Sequence, residues 1–109
     1  MRLDFNRMEQ TVIPGFLGGQ GELRAQMYAD ERNRFLRGIL PPGSTIGYHS
    51  HDTSSEIIYI LSGTGKVKID DGEEPLKAGD CHYCPKGHAH SLINDSQGEL
   101  EFFAVVPQQ

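Results

Sequence analysis

Glu22-Leu23-Arg24-Ala25-Gln26-Met27-Tyr28-Ala29-Asp30 decides the class of fold. Leu23, Ala25, Met27 and Ala29 alternate with Arg24, Gln26 and Tyr28, the two-residue period of a strand with one buried face. Working outward, Phe35 to Leu40 is a second candidate strand, closed by Pro41-Pro42-Gly43, and Thr45 to His51 is a third. Glu56 to Ser62 holds Ile57-Ile58-Tyr59-Ile60-Leu61, β-branched and aromatic and too short for a typical helix. Val67 and Ile69 alternate with Lys66, Lys68 and Asp70, and the following Asp71-Gly72 is a hairpin-turn dipeptide. Asp80 to Cys84, His90 to Ile93 and Leu100 to Val106 complete the set. Short strands with turn signals every 8–12 residues predict an all-β sandwich or barrel. Before them, Thr11 to Gly21 carries Pro14, Gly15, Gly18 and Gly19 and reads as an irregular lead-in or a short edge strand.

Composition agrees with this reading. The chain has 109 residues, room for one domain, and its 13 glycines and 6 prolines suit many tight turns. Fifteen acidic against ten basic side chains give a net charge of -5, which argues against nucleic acid or an anionic membrane as partner. No apolar stretch reaches the length of a membrane span, and Met1 to Gln10 carries Arg2, Asp4, Arg7 and Glu9 in place of a signal-peptide core, so a cytoplasmic location is expected. Cys81 and Cys84 form a C-x-x-C, but side chains three apart on a strand point to opposite faces, so the pair is expected to stay unlinked and metal-free.

The chemistry concentrates in a histidine-rich middle, for all five histidines lie between residues 49 and 90. His49 and His51, two apart, project from one face of a strand. Glu56 opens the apolar strand, where a carboxylate needs a partner to be buried. His90 begins another strand, with Asn94 four residues on. Three imidazoles and a carboxylate converging inside a barrel would make an open site for a metal. His82 reads as a packed or surface residue and His88 as an exposed loop histidine. In the last strand, Leu100, Phe102, Ala104 and Val106 share the face that lines the barrel, which makes Phe102 a candidate for the cavity wall. Phe103 and Val105 lie on the other face, which needs cover that a second subunit could supply. Arg34 and Arg37 are either surface charge or a cation at the mouth of the cavity.

These positions carry a resemblance. Gly43, His49, His51, Glu56 and Gly63 follow the first motif of the cupin superfamily: glycine, five residues, His-x-His, four residues, Glu, six residues, glycine. Gly79, Pro85, Gly87, His90 and Asn94 follow the second: glycine, five residues, Pro-x-Gly, two residues, His, three residues, Asn. The chain therefore resembles a small single-domain cupin of the type-2 conserved-barrel kind.

The resemblance implies an antiparallel double-stranded jelly-roll β-barrel, with residues 22–109 as the domain (motifs at 43–63 and 79–94) and residues 1–21 packing on the barrel or on a partner. It implies one divalent transition metal per chain (Mn, Fe, Ni, Co or Zn) held by His49, His51, Glu56 and His90. It also implies a homodimer, and a small oxygen-rich, anionic ligand at two open coordination positions. Phe102, Tyr83 and Cys81 are expected along the cavity, and Asn94 beside the site or tying a strand end, not as a ligand; no catalytic residue is assigned. The resemblance suggests a metal-dependent enzyme of dioxygenase, decarboxylase, isomerase or lyase type, or a non-catalytic metal-dependent binding or sensor module. Oxalate-type cupins carry an arginine three residues before the first ligand histidine, where this chain has Ile46, a departure that speaks against oxalate chemistry. Thiol dioxygenases usually lack the motif glutamate, so Glu56 speaks against them as well.

Overall fold

Alternation of apolar and polar residues becomes two antiparallel sheets around one core. A computed structural model describes all 109 residues, Met1–Gln109. Its ten strands are β1 (Thr11–Pro14), β2 (Glu22–Ala29), β3 (Asn33–Leu40), β4 (His49–Ser50), β5 (Glu56–Ser62), β6 (Thr64–Ile69), β7 (Gly72–Lys77), β8 (Cys81–Cys84), β9 (Ala89–Ile93) and β10 (Leu100–Pro107). The first sheet runs β1-β2-β3-β10-β5-β8 and the second β4-β9-β6-β7. This is the double-sheet jelly-roll architecture the sequence predicts.

The inward faces interlock. Leu23, Leu40, Ile58, Ile60, Leu100 and Phe102 from the first sheet meet Val67 and Leu92 from the second, all essentially inaccessible to water. Gly38 lets the largest of them fit, since a Cβ there would lie 2.5 Å from the Phe102 ring. Burying each of these side chains stabilises the fold by about 1.5–3 kcal/mol, so this core anchors the sheets that carry the polar site.

Two segments depart from the expected strand plan, the first because of a distant contact. The Thr45 to His51 stretch is a strand only at His49–Ser50, with Thr45 making an isolated bridge to Ile93. Residues 16–20 take up its backbone groups instead: the Thr45 N–H donates to the Gln20 carbonyl and the Gly47 N–H to that of Phe16. The hairpin between β6 and β7 turns at Asp70-Asp71, one residue before the expected Asp71-Gly72; Ile69 pairs with Gly72, and Asp70 takes the positive φ of 50°. The four motif glycines Gly43, Gly63, Gly79 and Gly87 all adopt positive φ. At Gly63 space is short as well, because a Cβ would overlap the Glu99 carbonyl oxygen.

Residues 1–21 pack on the chain's own first sheet. β1 pairs with β2, Gln26 Nε2 donates to the carbonyls of Phe5 (2.6 Å) and Met8 (2.7 Å), and Phe5 meets Phe103 edge-on at 5.3 Å between ring centroids. The cover that the outer face of β10 was expected to need is therefore supplied at Phe103 from within the chain. An exposed apolar patch remains further along that face, where Ile57, Tyr59 and Leu61 of β5 stand beside Cys81 and Tyr83 of β8. No helix is long and apolar enough to cross a membrane.

Candidate metal centre

Backbone pairing brings the four expected polar residues to one point. β4 pairs with β9 so that His49 stands opposite His90, placing both imidazoles on the same face of the second sheet. His51 follows at once, its N–H donating to the His88 carbonyl and its carbonyl accepting from the Gly87 N–H. Glu56 is the first residue of β5 on the facing sheet. His51, Glu56 and His90 are buried, and His49 is partly exposed.

The donor atoms form a tight cluster. The three imidazole Nε2 atoms lie 3.1–3.2 Å apart. Glu56 Oε1 is 3.0 Å from that of His51, 2.8 Å from that of His90 and 3.7 Å from that of His49. Donors held about 2.0–2.2 Å from a common ion lie about 3 Å from their neighbours, which matches five of these six separations.

The outer edge of each ring explains why Nε2 is the atom presented. His49 Nδ1 lies 2.7 Å from the Gly47 carbonyl, which can only accept, so the proton is on Nδ1 and Nε2 is a bare lone pair. Ser54 Oγ, 2.9 Å from His51 Nδ1, and His82 Nε2, 2.9 Å from His90 Nδ1, offer the other two rings the same arrangement. Three Nε2 atoms and a carboxylate oxygen then face one another, hydrogen-bonded through any proton left on an Nε2 and, once those protons are lost, reduced to lone pairs and a negative charge aimed at one point. Such a set repels itself, and a central cation converts the repulsion into coordination. The residues present fit a divalent ion on that ground.

Ionisation follows the same geometry. Burial alone would raise the Glu56 carboxyl, but hydrogen bonds from His49, His51 and His90 outweigh it and hold the group well below its usual range. Burial opposes a charge on His49, while Glu56 and the Gly47 carbonyl favour one, and the balance lies above the ordinary histidine value. His82 is pushed down to about 4, by burial first and the neighbouring His90 second. At neutral pH it is an uncharged ring, able to accept the proton on His90 Nδ1.

A pocket of about 390 Å³ opens from the cluster. His49, His51 and Glu56 line it together with the apolar Leu36, Ile46 and Val106 and with Arg34 and Gln108. Phe16 and Leu17 close one side. Their turn is pressed onto the loop before His49 so closely that a Cβ on Gly47 would overlap the Leu17 carbonyl oxygen. Leu17 itself holds a positive φ of 53°.

Other expectations need correction. Cys81 and Tyr83, expected along the cavity, lie on the outer face. Pairing with β5 sets Glu56 opposite Cys84 and Ile58 opposite His82, which turns His82 and Cys84 inward. Phe102 faces inward as expected but packs in the hydrophobic core against Gly38 and is not part of the pocket wall. Asn94 is fully buried away from the cluster and ties a strand end: its Nδ2 donates to the carbonyls of Leu40 (2.7 Å) and Gly98 (2.8 Å), and its Oδ1 accepts from Ser96. His88 is the exposed loop histidine expected and contacts Asp70. Of the partners of these rings, His82, expected to be packed or at the surface, is packed behind His90, while Gly47 and Ser54 were not singled out for this role from sequence. Only the i−2 and i+3 spacings of Gly47 and Ser54 from their histidines offered a signal.

Residues 36–106 match the family model described as Cupin domain, and the chain belongs to the cupin family. It is 37% identical over 100 residues to a Thermotoga maritima protein named oxalate-binding protein, covering 86% of this chain and 83% of that one. Among solved structures, a Thermotoga maritima protein described as a predicted oxalate decarboxylase superposes with a TM-score of 0.94 at 33% identity, over 100% of both chains. The cupin domain of Schizosaccharomyces pombe Cnp3 shares the fold at 12% identity, with a TM-score of 0.82 over 100% of this chain and 74% of that one.

Proposed function

We propose that His49, His51, Glu56 and His90 hold one divalent transition ion (Mn, Fe, Ni, Co or Zn) and that the chain acts on a small oxygen-rich acid as a metal-dependent enzyme. The observation that carries this reading is the convergence of three Nε2 atoms and one carboxylate oxygen, with each ring also held by a hydrogen-bond partner at its Nδ1. Three neutral imidazoles and one carboxylate leave a formal charge of +1 on a divalent ion, which favours anionic oxygen at the open positions. Bound there, the ion supplies Lewis acidity. This chain's own residues orient the rings through Gly47, Ser54 and His82 and line the pocket with Leu36 and Ile46 as well as Arg34. The printed names oxalate-binding protein and predicted oxalate decarboxylase, both from Thermotoga maritima, support an acid ligand. The homodimer that the resemblance implies belongs to the same proposal, with the exposed patch around Tyr59 and Tyr83 as its apolar face.

A second reading, a binding module without turnover, is favoured by one observation. Apart from the cluster, the ionisable side chains of the pocket are Asp30, Glu31 and Arg34, all at or beside the turn from β2 to β3, so no separate general acid or base stands at the inner end. Chain loaded with Mn(II) or Fe(II) and incubated with oxalate, 2-oxo acids and 2-hydroxy acids separates the two, with products followed by NMR. Turnover that disappears in His51→Ala supports the enzyme, saturable binding without product supports the module, and no interaction with any acid contradicts both.

A further inference from the structure

The pocket is larger and less polar than a two-carbon diacid needs. At about 390 Å³ it has room for roughly a dozen waters at about 30 Å³ each. Its hydrocarbon wall includes Leu36, Ile46, Met27, Ala29 and Val106, and Val106 lies in the strand between Arg34 of β3 and the start of β5 at Glu56. A fully polar dianion would leave most of that surface uncovered.

Arg34 supplies the second pole. It shares the inward parity of Leu36, Gly38 and Leu40 along β3, and its backbone pairs with Ala29 and Val106, both part of the pocket wall. It is the only lysine or arginine lining the pocket. The neighbouring arginines of the same sheet are committed elsewhere, Arg24 to Glu22 and Glu99, Arg37 to Glu101. Arg34 makes no ion pair or side-chain hydrogen bond within the chain. Of the two rim carboxylates, Asp30 is occupied by its own turn, accepting from the N–H groups of Arg32 and Asn33, and Glu31 stands next to it in the same turn, between β2 and β3.

Resting on the metal-dependent reading above, we infer that the ligand is a 2-oxo or 2-hydroxy dicarboxylic acid with a hydrocarbon spacer. Its oxygenated end faces the His49/His51/Glu56/His90 cluster, its spacer lies on Leu36, Ile46 and Val106, and its distal carboxylate pairs with Arg34. Arg34 is then a specificity-determining residue, because a guanidinium holds a carboxylate through paired, charge-assisted hydrogen bonds that a methyl group cannot replace.

Calorimetry on Mn(II)-loaded wild type and Arg34→Gln, with oxalate, 2-oxoadipate and 2-oxohexanoate as probes, tests this. The two longer acids have the same carbon count and differ only in the terminal carboxylate. Wild type is expected to bind both more tightly than oxalate, and 2-oxoadipate about tenfold or more tighter than 2-oxohexanoate, a preference that shrinks to about twofold or less in Arg34→Gln. Exposure of Arg34 at the rim means that the variant is expected to fold and load metal as wild type does, which Mn content confirms. Normal loading with oxalate the tightest ligand, or an unchanged preference in Arg34→Gln, overturns this inference and leaves the metal reading standing. Failure of wild type to take up Mn(II) or any other divalent ion overturns both.

Discussion

His49 shows how one contact assigns a chemical role. The Gly47 carbonyl fixes its proton on Nδ1 and so points a lone pair at His51, His90 and Glu56. His82 stands in the corresponding place behind His90. Removing a hydrogen-bond partner of this kind typically weakens metal affinity about 10–100-fold. His82→Ala is expected to lose that much by competition with a fluorescent chelator, and His82→Gln, whose amide oxygen can accept the same proton, to recover part of it; equal affinity in wild type and His82→Ala would contradict the role. Protons compete with the ion for the same lone pairs, so affinity is expected to fall as pH drops through about 6.5. Because His49 lies above the ordinary histidine value, its charged form is favoured and the loss begins above that pH. A chelator titration flat between pH 8 and pH 5 would contradict this.

Strand β8 shows what an element adds to its residues. Pairing with β5 puts Cys84 inside and Cys81 outside, on opposite faces as their spacing of three requires. Burial pushes the Cys84 thiol up to about 11, which leaves it unreactive at neutral pH. Cys84 is expected to react with iodoacetamide only after unfolding; a Cys81–Cys84 disulfide in a non-reducing peptide map would contradict the parity. The inward face was not legible beforehand, because Cys81-His82-Tyr83-Cys84 offers no contrast of polar and apolar residues. Glu56 to Ser62 and the alternation from Glu22 were legible because burial of one face is written into their residue types. The hook of residues 16–20 onto Thr45 and Gly47 left no such trace, since carbonyls and N–H groups joined it across more than twenty residues of sequence.

At the scale of the molecule, the site exists because the two sheets share a core. The second sheet brings His49 and His90, the first brings Glu56, and His51 stands in the link between them. The four clustered residues could be read from motif spacing, whereas the pocket walls could not, since Phe16, Met27, Arg34 and Val106 come from four separate segments. The exposed patch of Ile57, Tyr59, Leu61 and Tyr83 leads to an expected solution mass of two chains by light scattering; a single-chain mass at micromolar concentration would contradict the dimer. Metal content speaks to the rest. Elemental analysis of chain exposed to divalent ions and freed of excess is expected to give close to one ion per chain in wild type. The His51→Ala/His90→Ala double variant is expected to give almost none while keeping the far-ultraviolet circular dichroism of a β protein. Full occupancy in that variant, or none in wild type, would contradict the site.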